Sequence, residues 1–453
     1  MYRPCPSPDR RTAEGAVGAP GALALSIEFS VCLRQNLHSF AGRTCDVVHK
    51  VSRAAAACCR SDTAPRLPAA RAAQRSSHQR ARRVLNLFRN LYIAQYTLNN
   101  HGTTLMQGPL YRVVLLGSMI VALAPMTAHA AEVIGMNRSR LSSESEDVQR
   151  KTLDEIRNMH VIWFRDGPSS GSTRGVTNFV NEVRLVKQHS LKMLVAILQM
   201  DEDYDGPLAT NTCGWKEKKL SEINLSRYAQ RLRTLFGALK EAKLTIDAVE
   251  FGNEYDQYCF DADVPHGHAG NPTQQEVVTW LRGYGRFLKT GVEILHEPNY
   301  FPEAKIITFG LAHSGDYISD DSFPHPARMM AMLRNVDGFN YLENKEYKVD
   351  GYGTHLYPSP NNVNSVADLL HEDAASLGTN KSYWVTEWGF LNLNAFPNKK
   401  GQSVSEVLQD VLLKFDSLRP EIPLGPLMLY QYDVWLANNS PAAAVLTTYA
   451  SKR

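Results

Sequence analysis

The sequence predicts an α/β protein: a (β/α)8 TIM barrel with enlarged strand-to-helix loops and a short or missing last helix, occupying residues 131–453. Three observations carry this. Eight apolar runs of β type are spaced along the segment, amphipathic helical patterns separate them, and the runs are continuously apolar instead of alternating, as parallel strands buried on both faces require. An open doubly wound sheet would show a Gly-rich phosphate turn after its first strand, and the residues there, Glu-Val-Ile-Gly-Met-Asn-Arg-Ser-Arg, contain none.

The elements follow in order. Residues 132–137 read as the first strand, and 143–159 as a helix with a Ser143/Glu146 capping box and apolar Val148, Leu153, Ile156 and Met159. Strand two is 161–166, followed by a helix near 176–188. Strand three is 192–200, and Leu225, Tyr228, Leu232, Leu235, Phe236 and Leu239 mark the next helix at spacings of three and four. Strand four is 248–254, followed by a helix over 273–295. Strands at 305–313, 349–358, 382–390 and 426–435 complete the eight. Val404, Val407, Leu408, Val411, Phe415 and Leu418 form a helix behind a Ser403/Glu406 cap. Only 18 residues follow Trp435, so an eighth helix must be short, near 442–449, or absent.

The net charge of +3 over 453 residues hides two unlike pieces. Residues 1–105 hold 15 Lys and Arg against 5 acids, whereas residues 131–453 hold 33 basic and 41 acidic residues. An acidic body without a local basic patch cannot neutralise phosphates, which argues against nucleic acid as a partner. Between the pieces, Met106, Arg112, an apolar run over 113–124 and Ala128-His129-Ala130 have the layout of a secretory signal peptide, too short for a membrane span. The expected organisation is an unstructured leader at 1–105 that is either a transit peptide or untranslated, a signal peptide at 106–130, and one catalytic domain at 131–453. Such a protein is secreted or periplasmic and holds no stable membrane insertion after cleavage. The domain keeps two cysteines, Cys213 and Cys259, in the loops after strands three and four. Those loops are neighbours in a barrel, and export favours their pairing as one disulfide over two buried thiols.

A barrel of this kind carries its chemistry at the C-terminal ends of its strands. There the sequence places Asn137, Arg165, Asn253, Glu254, His313, His355, Tyr357, Glu387, Trp388 and Trp435. Polar groups ending apolar strands are costly unless paired or used. Glu254 and Glu387 follow strands four and seven, on opposite sides of a shared pocket. Two facing carboxyl groups suit glycosidic bond cleavage, one protonating the leaving oxygen and one attacking the anomeric carbon. Glu387 near Arg165 should stay ionised, and Glu254 beside Tyr255 should be partly desolvated and keep its proton.

At these residues the sequence resembles the clan A retaining glycoside hydrolases, nearest to the cellulase-like family 5 pattern. The likeness rests on Asn253-Glu254, Thr386-Glu387-Trp388-Gly389, His355-Leu356-Tyr357, Arg165 and a Trp on strand eight. It implies Glu254 as acid/base, Glu387 as nucleophile, and Asn253 as the partner of the sugar hydroxyl beside the reacting carbon. Arg165 and Tyr357 would orient Glu387, while His355 and Trp435 would line the sugar subsite; Trp388, from its place at the end of strand seven and not from the likeness, is a further candidate to stack on the sugar. No cofactor or metal is implied, and the expected partner is a poly- or oligosaccharide.

Other features carry less. Asp201–Gly206 opens like a calcium loop, but its twelfth position is Thr212, so a solvated acidic loop or a wall of a sugar subsite is expected instead of a calcium site. His266 and His268 read as surface residues, and His313 as either cleft-facing or packed. Trp215, Tyr255 and Tyr258 fall on the site face where rings can stack on sugars, whereas Trp163, Trp280 and Trp384 read as interior. Two rival readings remain: a catalytically silent carbohydrate-binding barrel, and a metalloenzyme using His313, His355 and the Asp201 loop.

Overall fold

The computed structural model describes residues 133–313, 321–346, 349–390, 393–435 and 441–452, without the side chains of Val434 and Trp435. The expected leader and signal peptide lie outside the described residues. Eight strands, β1 (Ile134–Asn137), β2 (Trp163–Asp166), β3 (Lys192–Ile197), β4 (Ala248–Phe251), β5 (Lys305–His313), β6 (Gly351–Leu356), β7 (Ser382–Trp388) and β8 (Leu424–Tyr430), close in sequence order into a parallel barrel. The helices outside it are α1 (Glu146–Asn158), α2 (Thr173–Gln188), α3 (Leu225–Glu241), α4 (Gln274–Leu295), α5 (Pro326–Ala331), α6 (Ser365–Leu377), α7 (Val404–Leu418) and α8 (Pro441–Ser451). No described helix is long and apolar enough to cross a membrane.

Strand alternation divides each sequence run between two cores. Phe164, Val195, Phe251, Phe309, Tyr352, Val385 and Leu429 face the helices in the large outer core. Trp163, Leu194, Ala248, Ile307, Trp384 and Met428 meet inside the barrel as its floor, where the two indoles pack edge to face with centroids 5.0 Å apart. Inward glycines make the room: a Cβ on Gly351 or Gly425 would stand 2.7 Å from the Trp384 ring. Lys192 and Lys305, at the entry ends of β3 and β5, lie over Trp163 and Trp384 respectively.

Several strands are shorter at their ends than expected, and three boundary differences bear on the site. The helix after β1 starts later because Arg140 takes a left-handed turn, whose N–H, with that of Leu141, donates to the Asp166 carboxylate. Ser145, not Ser143, then caps α1, accepting from Val148 N. Strand β4 stops at Phe251, so Asn253 and Glu254 belong to the turn beyond it. Strand β8 ends at Tyr430, and Trp435 falls in a helical turn over Tyr432–Trp435 instead of on the strand. The last helix is present, with eleven residues burying Ala442 and Leu446. The Ser403/Glu406 capping box forms as expected.

Candidate active site

The mouth of the barrel is a buried ionic network built on Arg165. Its guanidinium donates to Glu250 Oε2 from Nε (2.6 Å), to Glu387 Oε1 from Nη1 (2.7 Å) and to Asn253 Oδ1 from Nη2 (3.0 Å). Glu387 Oε1 also accepts from Asn137 Nδ2 (3.4 Å), and its Oε2 accepts from the Tyr357 hydroxyl (2.5 Å). Glu254 Oε1 lies 2.8 Å from His355 Nδ1, which is 3.7 Å from Glu387 Oε2. One donor atom each from Glu254, His355 and Glu387 fall within 4.8 Å of one another. Carboxylate, imidazole and carboxylate thus share one small space, with Glu387 9 % and Glu254 14 % exposed at the side chain.

Local backbone puts each group there. Along β7, Val385 pairs with Thr354 of β6 and Glu387 with His355, so Thr386 is an extra residue, a β-bulge. The bulge lets both Thr386 and Glu387 face inward: the Thr386 hydroxyl donates to Glu250 Oε1, one level below Glu387. Gly252 has φ +110°, where a Cβ would stand 2.5 Å from Tyr255 and 2.8 Å from Phe309, and Glu254 is itself left-handed at φ +49°. Its N–H is fixed to Gly310 O (3.1 Å). The His355 ring lies on Gly310, leaving no space there for a methyl group: a Cβ would come within 2.1 Å of Nε2.

The electrostatics follow from burial among these partners. Burial works against the Glu387 charge, but His355, Arg165 and the hydrogen bonds from Tyr357 and Arg165 outweigh it and hold the carboxyl below its ordinary value. Burial likewise opposes a charged His355, and the carboxylates of Glu387 and Glu254 overcome it, raising the imidazole. Nε2 of this ring has no hydrogen-bond partner, so in either ring state the useful proton is the one on Nδ1, between the two acids. Burial and the same two carboxylates push the Tyr357 phenol well up, so it stays a donor.

The structure therefore brings together Arg165, Asn253, Glu254, His355, Tyr357 and Glu387. It does not bring Trp388 to the mouth: one step beyond the inward Glu387, its ring turns to the helix side, fully buried and edge-on to Phe415 of α7. The ring of Trp435 lies outside the described residues. Tyr255 also turns away from the cleft, packing on Tyr284, Phe287 and Phe309, so it does not desolvate Glu254. His313 is buried against Asp373 of α6 (2.8 Å), and Asp201 pairs with Lys218 (2.9 Å), so the metal set of His313, His355 and the Asp201 loop is not assembled. The acidic loop is only partly solvated, because Asp203 is buried and clamped by Arg231 (2.7 Å). Cys213 and Cys259 form a disulfide.

Sequence reasoning passed over Glu250, and it named Thr386 only as part of the motif around Glu387, without the contact to Glu250 that its hydroxyl makes. The signal for Glu250 was present, since an acid within the apolar run Ala-Val-Glu-Phe can only be buried if paired.

No family model and no curated protein matches the chain. Among solved structures, a GH5-4 broad specificity endoglucanase from an uncultured bacterium aligns at TM-score 0.50 and 11% identity over 72% of this chain and 95% of its own. A GH5_18 protein from Bifidobacterium longum subsp. longum aligns at TM-score 0.48 and 12% identity, covering 71% of this chain and 79% of its own. An endo-1,4-beta-D-mannanase from Thermotoga petrophila aligns at TM-score 0.45 and 12% identity, covering 71% of this chain and 100% of its own. In fold, the chain is similar to that GH5-4 endoglucanase.

Proposed function

We propose that this chain is an exported retaining glycoside hydrolase acting on a poly- or oligosaccharide. The observation that carries the reading is the approach of the two carboxyl groups, with oxygens of Glu254 and Glu387 within 4.8 Å. Double displacement at an anomeric carbon uses carboxyl groups about 5 to 5.5 Å apart, whereas a water-inserting inversion needs roughly 6.5 to 9.5 Å. Glu387, held ionised by Arg165 and His355, attacks the anomeric carbon. Glu254 gives its proton to the departing oxygen, then takes one from the water that releases the sugar. His355 Nδ1 beside Glu254 can stabilise the carboxylate left after that transfer. Arg165, Asn137 and Tyr357 fix the attacking oxygens by hydrogen bonds, so little reorganisation is needed. The disulfide supports the exported reading, since such bonds persist in oxidising compartments.

The test is turnover on a panel of soluble polysaccharides and matched aryl glycosides by the full chain. Glu387→Gln and Glu254→Gln should each lose about 10²- to 10⁴-fold in kcat, with Glu254→Gln hurt least on aryl glycosides whose leaving group needs no proton. The first product should keep the anomeric configuration of the substrate by proton NMR. An inverted product, or either variant turning over like wild type, defeats the assignment. Affinity for a polysaccharide without hydrolysis would make the barrel a binding protein.

A further inference from the structure

The loops after β3 and β4 are joined at the barrel rim and hold one tryptophan out to solvent. Trp215 is 39 % exposed and is the one aromatic residue among the exposed large apolar side chains of the described residues. Its mounting is elaborate. Asn211, itself buried, accepts at Oδ1 from Cys213 N (3.1 Å) and Trp215 N (3.0 Å), and its own N–H donates to Trp215 O (2.7 Å). The Asn211 amide nitrogen donates across to Cys259 O (3.4 Å), and the Cys213–Cys259 disulfide staples the same two loops. Phe260 braces the indole edge-on, with centroids 4.8 Å apart. An indole left in water forgoes its burial energy, and here a disulfide, a buried amide and a phenyl ring keep it in one place.

The surroundings decide what this ring would meet. A protein partner would want a contiguous apolar patch. Trp215 is instead flanked by Gly214 and Lys216, both exposed, and Lys218 beyond them is paired with Asp201. A flat apolar ring inside a polar border matches a pyranose, which has one CH-rich face and a rim of hydroxyls. Cys259 and Phe260 lie five and six residues beyond Glu254, so the ring packs on the same strand-to-helix loop that carries Glu254.

We propose that Trp215 is a stacking platform for a sugar ring of an extended glycan chain, a subsite beyond the two units that flank the cleaved bond. The proposal deepens the glycosidase reading and rests on it for the direction of the chain. It predicts a split between long and short substrates. In the full chain, Trp215→Ala should raise KM for a polysaccharide roughly three- to tenfold, the value of one stacking contact. KM and kcat for an aryl monoglycoside should stay within twofold, and Trp215→Tyr should recover most of the loss. Equal changes on both substrates would mean a loosened loop, and an unchanged polysaccharide KM would mean an idle ring; either overturns the platform. If the wild-type protein cuts nothing, the carboxylate assignment falls, while retardation in native gels cast with each polysaccharide still reads the platform. Retardation lost in Trp215→Ala supports it, and retardation equal in both proteins, or absent from the wild type on every polysaccharide, overturns it.

Discussion

Arg165 serves two carboxylates and an amide from a site 4 % exposed, and its neighbours fix what each removal costs. Glu250, fully buried, holds the guanidinium from below while Glu387 takes it from above. Glu250→Gln leaves that cation with half its compensation, and breaking a buried pair costs about 3 kcal/mol or more. Urea unfolding should register the loss, and kcat should fall more than KM because Arg165 no longer points at Glu387. A variant as stable as wild type would remove Glu250 from the network. At this scale the sequence was most legible where polar residues end apolar strands, which is where Arg165, Glu254, His355, Tyr357 and Glu387 stand. Trp388 was misplaced because adjacent strand residues face opposite ways: with Glu387 inward, the next side chain had to face α7.

Among the elements, β5 and β6 interlock through an absence. The His355 ring occupies the space above Gly310, where an added methyl would come within 2.1 Å of its Nε2. Gly310→Ala should push the imidazole off Glu254, cost about 1 to 3 kcal/mol as overpacking, and depress kcat with the barrel intact by circular dichroism. Wild-type kcat in that variant would show that the ring has another resting place. The strands and helices themselves were legible because continuous apolar runs and spacings of three and four are written in residue order. Their ends were less so. A bulge such as Thr386 adds a residue without changing apolar character, and Arg140 turns left-handed because the distant Asp166 receives its N–H. Neither depends on local sequence alone.

For the whole molecule, buried groups set a pH dependence with one sign over much of its range. Burial, then the nearby Glu254 charge, pushes Asp256 up to about 7, and burial raises Asp166 to about 6. A carboxyl raised in the folded state binds its proton more tightly there than in the unfolded chain. Stability therefore falls as pH rises from about 4 through these values, by on the order of 4 kcal/mol for Asp256 alone. The raised His355 and His313 add to the loss as pH climbs past 6.5. The protein should unfold at lower urea at pH 8 than at pH 5, and Asp256→Asn, which can still accept from Ala312 N, should narrow the gap; an equal gap in the variant would clear Asp256. Closure of the eight strands followed from their number and parallel order, whereas the disulfide needed the barrel before its two loops became neighbours. The paired indoles of Trp163 and Trp384 bear on traffic. Among the described residues they fill the barrel interior at the far end, which leaves the mouth at the C-terminal ends of the strands as the side where a substrate would enter. In the reaction proposed, the severed fragment must leave by the route along which water arrives, and a second sugar alcohol waiting on the threshold would compete with water to collect the enzyme-bound glycosyl group.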